Sequence, residues 1–204
     1  MLKSFAGATA VASLVAVSLG AQAPGPVVNR TITAVPGIKV GHHTLTERPT
    51  GCTAVLVDGE GATGGVAQRG GAPATRETDL LNPLNMVDKV NGISLSGGSA
   101  FGLDSATGIM RWLEEHSLGW DVRIAKVPIV PGASLYDLPL GGKPGIRPTA
   151  DCGYQAASTA SSDPVAEGTI GAGAGAQVGQ FGGPTHTMKG GLGPPLVPQA
   201  VAQK

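Results

Sequence analysis

The sequence predicts an α/β protein in which helices pack on a sheet. Three observations carry that prediction. Residues 93–130 read in succession as strand, glycine-rich turn, helix and strand. Hydrophobic residues make up 41% of the chain, too many for a solvated disordered segment. Glycine accounts for 33 of 204 residues and is scattered among apolar runs without a period of three. It therefore marks tight turns and close backbone approaches rather than a collagen helix.

The first segment reads as an export signal over residues 1–23. Lys3 gives a short positive start, residues 5–19 form an apolar core too short for a comfortable membrane span, and Ala21-Gln22-Ala23 resembles a cleavage site. Pro24 is a poor first mature residue. Residues 24–31 read as a linker. This layout predicts a periplasmic or secreted protein. Lys plus Arg and Asp plus Glu balance at 14 each, so no electrostatic footprint points to nucleic acid or an anionic membrane as partner.

The elements follow in order. Residues 31–40 suggest a strand pair broken at the turn dipeptide Pro36-Gly37. Residues 53–57 are a β-branched apolar run between Gly51 and Asp58-Gly59, a buried strand followed by a hairpin-like turn. Asn82-Pro83 carries the N-cap and first-turn pattern of a helix, with Leu84, Val87 and Val90 on one face and Asn91-Gly92 at its end. Residues 93–96 alternate as a strand. Leu103, Ala106, Met110 and Leu113 then form the core stripe of a helix, with Glu114 and Glu115 on its solvated side and Gly119 as its C-terminal cap. Residues 122–130 suggest another strand, broken by Pro128. A small-residue helix is expected over 151–161. In residues 168–180, alternating glycines would strip one face of a strand for a close backbone neighbour or a substrate.

Cys52 and Cys152 stand 100 positions apart in apolar surroundings. An exported protein could oxidise them, but their surroundings favour two buried thiols acting as small hydrophobes. No cysteine–histidine cluster has metal-site spacing.

Two glycine-rich stretches invite a ligand. GGSAFG (97–102) opens a helix, where free N–H groups can hold a phosphate or an oxyanion. It lacks the GxxxxGK[ST] pattern and the G-x-G-x-x-G spacing, which favours a tight strand-to-helix turn. GTIGAGAGAQVG imitates a dinucleotide fingerprint but meets Phe181-Gly182-Gly183-Pro184 instead of a helix with an acidic residue beyond it. Neither calls for a cofactor. The four histidines, His42, His43, His116 and His186, form no constellation with Ser and Asp, and no G-x-S-x-G elbow is present. They read as surface residues.

Six blocks together carry a resemblance. They are VPGIKVGHHT (35–44), RGGAPATRETDLLNP (69–83), LSGGSAFGLDSATGIMRWLEE (95–115), VPIVPGASLYDL (127–138), GTIGAGAGAQVGQ (168–180) and MKGGLG (188–193). Their order and wording resemble the D-aminopeptidase/β-peptidyl aminopeptidase family, called DmpA-like, over residues 32–193. The resemblance implies a four-layer αββα sandwich, similar to N-terminal-nucleophile hydrolases. It implies a serine aminopeptidase or amidase that acts on small peptides, amides or esters and cuts itself into α and β chains. The cut exposes a Ser or Thr whose own α-amine, with an ordinary pKa of about 7.7–8.0, serves as base.

The resemblance also assigns site residues and a partner. Tyr136 matches a position whose hydroxyl lies at the active site in some members, where it can donate to an oxyanion. Ser134 stands where well-known aminopeptidase members carry a Glu that pairs with the substrate's free amine; its loss removes a charge-assisted contact. After MKGGLG, family members continue with an Asn-bearing strand, the processing site and the β chain. Here residues 194–204 are a proline-dense divergent tail, so the expectation is a fold incomplete at its C-terminus, lacking its β-chain segment and inactive as written. The family further implies a homo-oligomer. A non-catalytic structural or interaction protein on the same fold is the alternative reading, and anion or nucleotide binding by the glycine-rich loops a more distant one.

Overall fold

The computed structural model describes residues 28–193. The expected export segment at 1–23, residues 24–27 of the linker and the divergent tail at 194–204 lie outside the described residues. The strands are β1 (Ile38–Thr44), β2 (Gly51–Val57), β3 (Thr75–Arg76), β4 (Gly92–Ser96), β5 (Trp120–Asp121), β6 (Lys126–Val127), β7 (Gly132–Ser134), β8 (Gln177–Val178) and β9 (Met188–Lys189). The helices are α1 (Ser105–Glu115) and α2 (Ala150–Ser158). Five strands form one mixed sheet in the order β1-β2-β4-β7-β3. Only the β4–β7 pair is parallel, joined through α1. β5–β6 and β8–β9 are separate two-stranded ribbons. Among the described residues no helix is long and apolar enough to cross a membrane.

The core follows from period-two alternation along β2. Cys52, Ala54 and Leu56 face the helices and meet Ala106, Ile109 and Leu113 of α1 and Cys152, Ala156 and Ala157 of α2. Small residues let the two helices touch: a Cβ at Gly108 would fall on the Ala150 carbonyl, and one at Gly153 on the Ser105 carbonyl. On the opposite sheet face, a 3-10 turn at Gly171–Gly175 is tied down by threonines. The Gly171 amide donates to Thr44 Oγ1 at 2.7 Å and the Ala172 amide to Thr53 Oγ1 at 3.1 Å. The rest of that face is less covered, with Ile93 38% exposed. One helix layer and one sheet of the expected αββα order are therefore present; a second full sheet is not among the described residues.

Several expectations are corrected. Cys52 and Cys152 are not thiols but a disulfide, with Cα atoms 6.2 Å apart. The docking of α2 on β2 brings them together, a long-range event that local apolarity does not encode. The Asn82-Pro83 helix does not form. Asn82 Oδ1 instead accepts the Leu84 amide at 3.0 Å, an Asx turn, and Leu84 is 91% exposed. Val90 is extended, exchanging both backbone hydrogen bonds with Ala62 at 2.8 and 3.0 Å, so the stripe has no helix face to bury. Residues 168–180 hold a buried 3-10 turn where a strand was expected, although the close backbone neighbours are there.

Smaller boundaries also move. Before β1 stands a 3-10 turn, Ile32–Ala34, rather than a first strand. Where one strand was expected over 122–130, only Lys126–Val127 is extended, as the second arm of a hairpin whose first arm, Trp120–Asp121, precedes that range. The α1 helix ends in a Schellman motif. The Leu118 amide reaches Leu113 O at 2.9 Å and the Ser117 amide Glu114 O at 2.9 Å, with Ser117 at φ 57°. The left-handed position is thus Ser117, and Gly119 lies beyond the cap. Ile109 joins Ala106 and Leu113 at the centre of the α1 stripe, while Met110 is only partly buried.

Candidate active site

The site is built where β7 ends. Ser134 closes β7, Tyr136 follows two residues later, and Asp137 turns inward. Asp137 is fully buried, and its carboxylate ties two other segments to its own, residues 48–50 and the turn at Gly98. Its Oδ1 accepts Arg48 Nη2 at 2.7 Å and the Gly98 amide at 2.8 Å; its Oδ2 accepts Thr50 Oγ1 at 2.6 Å. Arg48 also donates to the carbonyls of Asp137 and Ile146 at 2.6 and 2.8 Å. A buried ion pair persists only when its remaining polar atoms are also partnered, and here they are. The node leaves Tyr136, its chain neighbour, on a backbone that cannot drift.

The GGSAFG turn lies against this node. Gly98 takes the left-handed conformation, φ 86°, that lets the chain leave β4 and enter the 3-10 stretch Ser99–Asp104 ahead of α1. The amides of Gly97, Gly98 and Ser99 donate to Gly51 O, Asp137 Oδ1 and Leu135 O at 2.9, 2.8 and 2.9 Å. These three amides are spent inside the protein, so the stretch is a structural turn and not a phosphate cradle. The turn in residues 168–180 is likewise packed against backbone.

Ser134 and Tyr136, the two residues assigned from resemblance, come together. Both line a hollow of about 450 Å³ with Ala72, Ala74, Ser99, Gln180 and Phe181. The Ser134 hydroxyl donates to Gly97 O at 2.9 Å. Tyr136 is 54% exposed, and its hydroxyl has no hydrogen-bond partner among the described residues. Past Tyr136 the cleft continues into a hollow of about 360 Å³ lined by Pro139, Leu140, Gln177, Gln180 and Pro184. Gln180 Nε2 donates to the Tyr136 carbonyl and to Gln177 Oε1, both at 3.1 Å. A further hollow, about 920 Å³, lies between the loops at 63–66 and 78–90 and touches neither Ser134 nor Tyr136.

The histidines stay away from this cleft. His116 stacks on Trp112 with ring centroids 3.8 Å apart, and His186 is exposed on the β8–β9 ribbon's connection. His42 departs from the surface reading: it is half-buried beside Thr53 Oγ1 at 3.0 Å, and burial holds its imidazole below the ordinary range. Among the described residues no three His, Cys, Asp or Glu side chains gather as metal ligands. Sequence reasoning missed Arg48, Thr50, Asp137, Gln177, Gln180 and Phe181. Asp137 stood inside a quoted block, but nothing local ties it to an arginine 89 residues away.

The sequence model of Peptidase family S58 matches residues 30–194. An uncharacterized aminopeptidase of Mycobacterium tuberculosis is 48% identical over 170 residues, covering 80% of this chain and 47% of the relative. One from Mycobacterium leprae is 45% identical over 178 residues, with the same coverage of 80% and 47%. The chain spans about half the length of the curated relatives it matches. Among solved structures, a Burkholderia sp. beta-aminopeptidase aligns with a TM-score of 0.58 at 22% identity, over 74% of this chain and 44% of that one. The L-aminopeptidase D-Ala-esterase/amidase of Ochrobactrum anthropi, described as a prototype of the serine aminopeptidases with a variant of the Ntn hydrolase fold, gives 0.56 at 21% identity over 74% and 46%. At such identities the likeness speaks for the fold, and the helix layer and mixed sheet described above share that Ntn-hydrolase-like arrangement.

Proposed function

Because the chain belongs to peptidase family S58, we propose that the Ser134–Tyr136 cleft is the substrate wall of an amide-hydrolysing site. The reaction is that of a serine aminopeptidase or amidase on small peptides, amides or esters. The nucleophile is a Ser or Thr outside residues 28–193, placed at a new N-terminus by self-cleavage. Its α-amine takes the hydroxyl proton, because an amine of ordinary pKa about 7.7–8.0 is a competent base at neutral pH. Tyr136 donates its O–H to the carbonyl oxygen as negative charge develops there. A donor already aimed at that position stabilises the transition state more than the ground state.

The observation that carries this reading is the state of Tyr136: half-exposed on a cleft wall, its hydroxyl unpartnered among the described residues, its backbone pinned by the buried Asp137 node. The relatives named aminopeptidases, and the neighbour named esterase/amidase, support the class of bond cleaved. Export to an oxidising compartment is part of the same proposal. The signal-like residues 1–23 and the Cys52–Cys152 bridge support it. Assembly with further copies belongs to the proposal as well.

The test joins this chain to the complementary segment of a longer relative and assays an aminoacyl p-nitroanilide panel. Self-cleavage and turnover are expected in the joined protein and neither in the 204-residue chain alone. In the joined protein, Tyr136→Phe lowers kcat about 10–1,000-fold. Unchanged turnover in that variant, with normal folding, sinks the assignment.

A further inference from the structure

Left-handed backbone is free for glycine and costs any residue that carries a Cβ. Among the described residues five non-glycine positions accept that cost: Ala74, Glu77, Ser99, Ser117 and Arg123. Two of them answer to their own turns. Ser117 closes the α1 Schellman motif, and Arg123 sits in the β5–β6 turn, where its amide donates to Asp121 Oδ1 at 2.7 Å. Ala74 and Ser99 instead both line the hollow of about 450 Å³ that Ser134 and Tyr136 share. Strained residues gather at functional sites, where the surroundings hold them for a purpose other than stability. Of these two, only Ser99 carries a polar side chain.

Ser99, at φ 57°, directly follows Gly97 and Gly98. A third glycine would make the same turn from β4 into the 3-10 stretch without strain, so the turn itself does not call for a serine. Its place is rigid as well. Residues 96–99 are laced to 134–137. The Leu135 amide donates to Ser96 O at 2.9 Å, Ser134 Oγ to Gly97 O at 2.9 Å, the Gly98 amide to Asp137 Oδ1 at 2.8 Å and the Ser99 amide to Leu135 O at 2.9 Å. Ser99 is thereby fixed against Leu135, whose chain neighbours are Ser134 and Tyr136. A strained serine on a sharp strand-to-helix turn is a general way of raising a hydroxyl toward a substrate. A hydroxyl fixed in advance loses little freedom on binding, and it both donates and accepts, which suits an amide.

We propose that Ser99 is a substrate-contacting residue of this cleft, its hydroxyl hydrogen-bonded to the amide or ester group of the bound substrate beside Tyr136. This rests on the reading of the cleft as the substrate site, and it adds a residue that the family wording did not assign. The nucleophile stays where that reading puts it. Ser99 supplies orientation, and its left-handed backbone is kept for that role.

The test sets activity against stability. In the joined protein, Ser99→Ala and Ser99→Gly are each expected to lower kcat/KM about tenfold, the loss of one hydrogen bond. In urea denaturation of the 204-residue chain, Ser99→Gly is expected to be at least as stable as the parent and more stable than Ser99→Ala, because glycine relieves the backbone. Ser117→Gly relieves the same strain outside the cleft and leaves turnover unchanged. Parental turnover in both Ser99 variants, with Tyr136→Phe slowed, overturns this inference alone. So does a Ser99→Gly chain less stable than the parent, since the serine then serves the fold. Turnover unmoved by Tyr136→Phe as well, or a folded joined protein that turns over nothing, overturns the cleft as substrate site and this inference with it.

Discussion

Arg48 Nη2 and Asp137 Oδ1 meet at 2.7 Å with neither side chain exposed to solvent. Removing one partner leaves a buried charge without its counterpart, which costs about 3–5 kcal/mol. Asp137→Ala is therefore expected to lower the urea midpoint sharply. The double replacement Arg48→Met, Asp137→Leu recovers part of that loss, because no charge is then stranded. It does not reach the parent, because the Gly98 amide and the Thr50 hydroxyl still lose their acceptor. A double variant as stable as the parent would show that these two bonds contribute little.

The Cys52–Cys152 bridge closes a separation of 100 residues. Long loops gain most from such closure in the chain-entropy account, and a bridge typically contributes about 2–4 kcal/mol. Cys52→Ser with Cys152→Ser is expected to lower stability by that order in chemical denaturation. The native bridge resists reductant until the protein opens, because Cys52 is fully buried. Rapid reduction in the native state, followed by thiol labelling, would contradict the burial.

His42 makes stability pH-dependent on the acid side. Its folded pKa lies below the ordinary 6.5 because burial disfavours the charged ring. Above pH 6.5 its contribution is complete. As the pH falls from 6.5 toward the lowered folded value, the unfolded chain takes up a proton that the folded chain resists, and stability declines. His42→Gln should flatten this part of a Tm-against-pH profile between pH 8 and 5. An unaltered slope in the variant would assign the decline to other groups.

Ile93, on the sheet face away from α1, is 38% exposed. Thr fits the same pleated surface without the apolar area. Ile93→Thr is expected to reduce self-association in light scattering while changing stability by only about 0.5 kcal/mol. Undiminished association would place the sticky surface elsewhere, with Leu84 and Met86 as the next exposed apolar residues to replace.

Much of this fold was legible because it is written locally. The β-branched apolar run at Thr53–Val57 and the stripe through Ala106 and Leu113 gave β2 and α1 to within a few residues. The GGSAFG turn was recognised as structural from the lysine it lacks, and the hydrogen bonds from Gly97 to Ser99 bear that out. The failures share a different cause. Asn82-Pro83 carries every local mark of a helix start, yet no surface stands ready to bury Leu84, and the chain extends at Val90 to pair with Ala62. Ser117 took the left-handed place expected near Gly119 because the helix stops where Leu118 can fold back on Leu113. The buried Arg48–Asp137 pair and the disulfide join residues 89 and 100 positions apart, and no local pattern announces such partners. Tyr136 and Ser134 entered through family wording; the glutamines beside them needed coordinates.

The run Gly171-Ala172-Gly173-Ala174-Gly175 looks like one motif, but as a constraint on inheritance it is three separate vetoes. A methyl group at 171 collides with the Thr53 hydroxyl and the Cys52 carbonyl, one at 173 with the Leu192 amide, and one at 175 with the Asp137 side chain and the Pro49 carbonyl. Each set includes a backbone atom, Cys52 O, Leu192 N or Pro49 O, which no side-chain replacement elsewhere removes. A side chain introduced at any one of the three positions therefore meets its own obstacle. Its glycines are there for room, and their likeness to a dinucleotide fingerprint comes from the same small residue solving an unrelated problem.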